Sequence, residues 1–565
     1  MSNKNEEQNN NNSIKIETLI LNPERNLFEN SLRKQYSKSD IGQYFEDITE
    51  VKLISWENLL EPMLQIHDLS KITDADILNE KFKDPKVEKI IKGDIVRTRV
   101  QESIYMTSFK EYVYQIIIFY LNQNKIPYKQ GLNEIAGLFV LLKYKLKVSL
   151  SRIYKLFVCF IDKYLTNYFH EKEFYSLKST FSLINLLLRY HDPEIFHLFE
   201  HLIVIPELYA TSWIMTLFSN KLSLNVIYYL WDKIILFNDN LFTIFFITSM
   251  IILHRDKYFN CDSTMILSFL SQLEIKEIEE VNKILKKANE IRDKTPNSIY
   301  LLATKLDIFH YDSQALKTSY EYYKPHTMLA LPMFPNEIFC ITQKNIKGCP
   351  DENCENFLKK ECGNLSKCIF CRNKQVKRKN AYIILDLRIF EENEKTNSET
   401  FPGFLPKSVR LTAQQLSTEV LLKNIVNEYE NEKNNYHFIL ITSETGYFEQ
   451  YEKEFYKDQR RSGNNKFGIN YKRYRELNEK KVEEKLKNHN KKEYRLLKEF
   501  DNFKKIIQIM NKKGFKYVSY VYGGYKQIHF YAMKYKIDLL EHGKNCFLCK
   551  EEKQPKKRSS FFNFW

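Results

Sequence analysis

Glycine and proline are scarce in this 565-residue sequence, 14 of each, which excludes a collagen-like chain and argues against a largely disordered one. Long apolar runs are missing as well. The longest, Leu241 to Leu253, is interrupted by threonine and serine and is too short to span a bilayer. The opening MSNKNEEQNNNNS lacks the basic-then-apolar layout of a secretory signal. A soluble, cytoplasmic protein is the expectation. No nucleic-acid-binding module is recognisable, and the net charge of +15 comes from lysine spread through every segment, so no nucleic-acid partner is expected. Such charge favours an anionic membrane surface or an acidic protein face instead.

What the sequence does have is apolar material: 43% of residues are hydrophobic, enough for more than one core in a chain of this length. Residues 1–40 are polar and Asn-rich and are expected to be disordered. From 41 to 305, apolar residues recur at three- and four-residue spacing, as in Phe109 to Asn122, Ile153 to Tyr168 and Leu222 to Phe237. That texture predicts an all-α domain. Residues 306–379 are irregular and cysteine-rich, a linker in this reading. Three short apolar runs follow, Ala381 to Leu387, Tyr436 to Ile441 and Tyr517 to Tyr522, alternating with helical stretches as in a parallel α/β sheet. A second, α/β domain is expected over 380–541, with a charged, solvated helical insertion at about 451–502 and a knuckle and tail over 542–565.

Two segments carry chemistry. In Ile91 to Thr98, IKGDIVRT, a helix sets Asp94 and Arg97 one turn apart on one face. In Tyr128 to Gly137, YKQGLNEIAG, Gln130 precedes a glycine, so its amide stands at a tight bend close to whatever approaches. Taken singly, the first reads as a surface ion pair and the second as a turn.

Together, in this order, they resemble the paired fingerprints of TBC domains, the helical GTPase-activating domains for Rab proteins. Trp56 followed by Leu59 and Leu60, the YHDPE of Tyr190 to Glu194, and Trp213 through Trp231 and Asp232 extend the resemblance over about residues 45 to 305. It implies that Arg97 is an arginine finger and that Gln130 orients the attacking water. Asp94, Tyr128 and Asn133 would aim these groups or touch the GTPase. The substrate is then GTP–Mg held by a partner Rab GTPase, and the chain needs no catalytic cofactor of its own. Lys52 stands where the family usually has an arginine, a departure that bears on local packing.

The α/β unit resembles a rhodanese domain. Asp386 and Arg388 close its first strand as Asp-x-Arg, and GFLPKSVRL (Gly403 to Leu411) matches a family stretch with Phe404 in place of a histidine; GFKYVSYVYGG (Gly514 to Gly524) completes the likeness. Sulfur transfer needs a cysteine thiolate in the loop after the Tyr436 to Ile441 strand. That loop reads Thr442, Ser443, Glu444, Thr445, Gly446, without a thiol, so the unit is expected to be catalytically inactive. A TBC domain followed by a rhodanese-like one resembles a Golgi- and endosome-associated branch of the family, which implies a peripheral membrane location and a role in vesicle trafficking. Some members of that branch lack the arginine and glutamine, so a non-catalytic adaptor or tether is the alternative function.

Seven of ten cysteines lie in CxxC pairs or between Cys349 and Cys371. In a cytosolic chain that pattern points to structural zinc before disulfides. The knuckles Cys368–Cys371 and Cys546–Cys549 would clasp the ends of the α/β unit on one ion; Cys349, Cys354, Cys368 and Cys371 form a local alternative, and incidental cysteines that hold no metal are a third. Cys159 and Cys261 read as core residues. The tail carries lysines and then Phe561, Phe562, Phe564 and Trp565, a pattern suited to an anionic membrane surface or a trafficking adaptor.

Overall fold

The computed structural model describes residues 49–66, 69–103, 106–308, 313–342, 381–390, 399–444 and 491–553. The Asn-rich N-terminus, the Cys349–Cys371 stretch, residues 451–490 and the aromatic tail lie outside them.

From Glu50 to Lys305 the chain is helical. Helices Phe109–Asn124, Leu132–Leu146 and Leu150–Tyr164 pack on one another in succession, and their apolar faces meet around Phe139, whose ring lies 5.4–5.8 Å from those of Phe157, Phe160 and Trp231. Trp56 and Asp232 meet across 176 residues of sequence: Trp56 Nε1 donates to Asp232 Oδ1 at 3.0 Å in a buried bond. Trp231 Nε1 donates to the Leu217 carbonyl at 3.0 Å. Each indole thus buries its ring and satisfies its one donor. The helix Phe242–Leu253 takes up the longest apolar run and is buried on nearly all sides. Among the described residues no helix is long and apolar enough to cross a membrane.

The second unit is α/β, with five parallel strands in the order β1-β5-β4-β2-β3. They are β1 Leu331–Met333, β2 Ala381–Asp386, β3 Ser408–Arg410, β4 Tyr436–Ile441 and β5 Val518–Val521. Helices Glu419–Glu428 and Lys491–Lys512 cover one face through Leu422, Ile425, Phe503 and Ile506. Helices Pro335–Thr342 and Gly524–Lys534 cover the other through Ile338, Phe339 and Ile528. Two covered faces explain why β4 and β5 are mostly apolar; their polar residues, His437 and Ser519, are buried and hydrogen-bonded to each other at 2.9 Å.

Two boundaries differ from the sequence reading. β1 comes from inside residues 306–379, assigned above to a linker; it is three residues long and contains Pro332, which a sheet tolerates at an edge, so nothing in its pattern announces a strand. The helix Lys491–Lys512 takes residues 491–502 out of the solvated insertion. Its polar sequence hides a buried stripe of Leu496, Glu499, Asn502, Phe503 and Ile506, in which two of the inward positions are themselves polar.

The two units share an interface built on the YHDPE segment. Tyr517 N donates to the Tyr190 carbonyl at 2.7 Å, and the Tyr190 ring meets His437 and Tyr517 edge-on. Glu337, of the α/β unit, accepts from Asn297 N, Ser298 N and Ser298 Oγ at 2.6–2.9 Å and caps the helix Ser298–Lys305 of the helical unit.

Candidate functional site

Arg97 is the last residue of the helix Pro85–Arg97. Asp84 caps its start, accepting from Lys86 N and Val87 N, and Pro85 occupies the first position, where its missing N–H costs nothing. Ile91 and Ile95 bury one face, and Asp94 goes in with them, 6% exposed. Past Arg97 the backbone leaves the helix: Thr98 is extended, its hydroxyl donating to the Asp94 carbonyl at 3.1 Å, and Arg99 has φ +44°. A cation at a helix C-terminus is favourable in itself.

The two arginines of IVRTR are therefore sorted by the fold. Arg99 turns inward, only 9% of its side chain exposed, and donates to Glu102 and to the carbonyls of Leu222 and Ser219. Arg97 points out, 70% exposed, with one anchor: its Nη2 donates to Asp94 Oδ1 at 2.6 Å.

A polar network runs from that anchor to the glutamine loop. The Tyr128 hydroxyl donates to Asp94 Oδ2 at 2.9 Å and also lies 3.2 Å from Asn133 Oδ1. Asn133 Oδ1 accepts from Gly131 N at 3.0 Å, and its amide donates to the Thr98 hydroxyl at 2.8 Å. Burial, reinforced by the Asp94 carboxylate, pushes the Tyr128 phenol far above its usual range, so it remains a donor. On the other side of the loop, Lys129 Nζ donates to the carbonyls of Tyr168 and Glu171. Desolvation lowers Lys129 to about 8.

Gln130 itself is exposed at the bend. Gly131 follows with φ +106°, and a Cβ there would lie 3.1 Å from Thr216 Cγ2, in the segment that runs from Trp213 to Asp232. The five residues singled out from the sequence thus fall into one region: Asp94, Tyr128 and Asn133 are hydrogen-bonded together, with Arg97 and Gln130 exposed at its two ends. Sequence reasoning passed over Thr98 and Lys129, whose links across the site, to Asn133 and to the Tyr168 carbonyl, span 35 and 39 residues and leave no local signal.

In the α/β unit a cavity of about 140 Å³ opens beside the ends of β2 and β4, lined by Arg388, Phe401, Ser443, Glu444, Tyr525 and Lys526 among others. Arg388 is spent internally: it pairs with Asp386 at 2.6 Å, donates to the Gly403 carbonyl and lies 3.4 Å from the centroid of the Tyr525 ring. Phe404 pairs with Leu540 through two backbone bonds. The loop Thr442 to Glu444 is held shut by its neighbours. Tyr525 N and Lys526 N donate to the carbonyls of Thr442 and Ser443, and Glu499 accepts from Ser443 N, Ser443 Oγ and Ile389 N. Among the described residues no cysteine lines the cavity.

Two predictions arise from this closed loop. A Cβ at Gly524, where φ is +65°, would meet the Thr442 and Ser443 carbonyls at 2.6 and 2.7 Å. Gly524→Ala is expected to cost about 2 kcal/mol or more, read as a fall in the unfolding midpoint. The second concerns Glu499, which burial raises from the ordinary 4.5 to about 7 although three hydrogen bonds oppose the shift. Between those values the folded chain holds a proton that the unfolded chain has released, so stability falls as pH rises through that window and the loss is complete above about 7. Glu499→Gln should remove this slope. Unfolding midpoints of the two proteins measured from pH 5 to pH 8 should diverge, the wild type losing ground as pH rises; parallel curves would contradict the assignment.

Cys546 and Cys549 do come together, and among the described residues their companions are His529 and His542. Cys349, Cys354, Cys368 and Cys371 lie outside the described residues. Spacing within a CxxC pair is visible in sequence, whereas His529 sits in the middle of the helix Gly524–Lys534 with nothing to mark it. Burial, with His542 and Arg388 adding to it, lowers His529 to about 4.

The comparisons with known proteins fall on the helical unit. A family model for the Rab-GTPase-TBC domain matches residues 56–259. The TBC domain-containing protein kinase-like protein of Homo sapiens is 29% identical over 115 residues, 20% of this chain and 12% of that protein. Its Dictyostelium discoideum counterpart is 29% identical over 178 residues, 32% of this chain and 17% of the relative. The chain thus matches only a small part of the length of these relatives. Among solved structures, the Ypt/Rab-GAP domain of Gyp1p aligns over 47% of this chain and 96% of its own, with 17% identity and a TM-score of 0.36. The chain therefore carries a TBC domain of the Rab-GAP type, spanning residues 56–259.

Proposed function

We propose that the chain is a GTPase-activating protein for a Rab-family GTPase, with Arg97 as the arginine finger and Gln130 as the residue that orients the attacking water. GTP hydrolysis builds negative charge on the transferred phosphoryl oxygens, and a guanidinium inserted from a partner neutralises it where water is excluded. The observation that carries the reading is the sorting of the two arginines. Arg97 is 70% exposed with the Asp94 carboxylate behind it, while Arg99 is buried and its two terminal nitrogens are bonded to Glu102 and to the Leu222 and Ser219 carbonyls. The hydrogen-bonded path from Asp94 through Tyr128 and Asn133 to Gly131 N would keep the two groups in fixed relation.

The α/β unit, read as rhodanese-like, is assigned a binding role. Its loop lacks a thiol, and its arginine and loop amides are already bonded within the unit. A trafficking function at Golgi or endosomal membranes, and membrane or adaptor contact through the tail, belong to the same reading.

Transition-state analogues bind an enzyme more tightly than its substrate does. Full-length protein titrated with Rab proteins loaded with GDP and aluminium fluoride should therefore bind its substrate Rab tightly, and more weakly when fluoride is left out. Binding to a Rab that ignores fluoride would favour the adaptor reading. Arg97→Ala should remove the fluoride dependence and leave basal binding.

A further inference from the structure

The geometry points to a structural zinc site made by His529, His542, Cys546 and Cys549. His529 lies in the helix Gly524–Lys534, His542 in the segment that follows, and the two cysteines bracket the start of the helix Phe547–Lys553. All four donor atoms lie within 4.8 Å of one another. Tetrahedral zinc, bonded at about 2.0–2.1 Å to nitrogen and about 2.3 Å to sulfur, sets its ligands about 3.3 Å apart for two nitrogens and about 3.6 Å apart for nitrogen and sulfur. Here the two Nε2 atoms are 3.1 Å apart, and the nitrogen–sulfur separations are 3.3 Å for His529–Cys546 and 3.6 Å for both His529–Cys549 and His542–Cys549.

Hydrogen bonding alone does not explain the cluster. One imidazole nitrogen offers a single donor or acceptor site, yet His529 Nε2 faces three polar neighbours. A cation at the centre satisfies all of them together. Two thiolates also balance a divalent ion, so the site adds no net charge near the buried Arg388, whose field reaches His529. Nitrogen and sulfur donors in a tetrahedron suit zinc among the common metals.

Such a site would fasten the C-terminal segment to the sheet. Residues 540–547 run along 399–404 through backbone bonds from Leu540, Gly543, Asn545 and Phe547, and Phe547 and Leu548 form one wall of the small cavity. Zinc would fix that wall.

The test is metal analysis of the full-length protein purified without chelators. An equivalent of zinc should be present, be lost in His529→Asn/His542→Asn and in Cys546→Ser/Cys549→Ser, and survive in Cys368→Ser/Cys371→Ser. Cobalt substituted into the wild type, which does not depend on any variant folding, should give tetrahedral ligand-field bands with charge transfer from two thiolates. A wild type without zinc, full loading in the histidine variant, or a four-thiolate cobalt spectrum would overturn the assignment; the last would return the cysteines to a clasp.

Discussion

Arg97→Ala is expected to lower the GTP hydrolysis that this chain stimulates in its Rab by about 10³-fold or more, the range an arginine supplied in trans contributes. Arg97 ends a helix whose other face is anchored by Ile91 and Ile95, so removing its side chain takes away an exposed group and leaves the core intact. Unfolding midpoints should accordingly be unchanged. Arg97→Lys should rescue little, because an ammonium cannot both donate to the Asp94 carboxylate and face a phosphoryl group with the same planar fork. Arg99→Ala makes the contrast. That side chain holds Glu102 and two carbonyls, so its loss should lower stability first and activity only as a consequence. If Arg99, and not Arg97, carried the rate effect, the finger assignment would be wrong.

Gln130→Ala should cost about 10²- to 10³-fold in the stimulated rate, the usual loss when one preorganised hydrogen-bonding group is removed from a reaction centre. The loop around Gln130 is built to be rigid. Gly131 takes a positive φ, Asn133 holds its amide, and Lys129, just before Gln130, is tied by its Nζ to the carbonyls of Tyr168 and Glu171. A side chain carried on such a loop is positioned before the partner arrives, and little ordering is left to be done in the transition state. The effect should therefore fall on the maximal rate, with the concentration of activator giving half-maximal stimulation nearly unchanged. A stimulated rate that does not change in Gln130→Ala would assign the water to the GTPase's own glutamine.

Much of this was legible in sequence, for physical reasons that differ from place to place. The helical unit announces itself because its buried positions recur at helical spacing, and Trp56, Trp213 and Trp231, which extend the resemblance, are all buried. β4 is read to the residue, since a strand covered on both faces is mostly apolar, Phe438 to Ile441 here. β1 is not, because three residues with a proline carry no periodicity. Glu499 and Asn502 were read as solvent-facing because polar residues usually are; they are buried because the loop after β4 and the Leu416 carbonyl need partners. The helical site was readable as a pair of motifs, but the sorting of Arg97 from Arg99 depends on the Leu222 and Ser219 carbonyls, more than a hundred residues away. The histidines of the C-terminal cluster were missed for the same reason: only the CxxC half of the set is local.

Single-turnover GTP hydrolysis across a panel of Rab proteins, with the full-length chain beside Arg97→Ala and Gln130→Ala, tests the proposal most directly. Acceleration of one or a few Rabs by the wild type, lost in both variants while both remain folded, is the predicted result. A panel in which no Rab is accelerated, or in which both variants accelerate as well as the wild type, would contradict it.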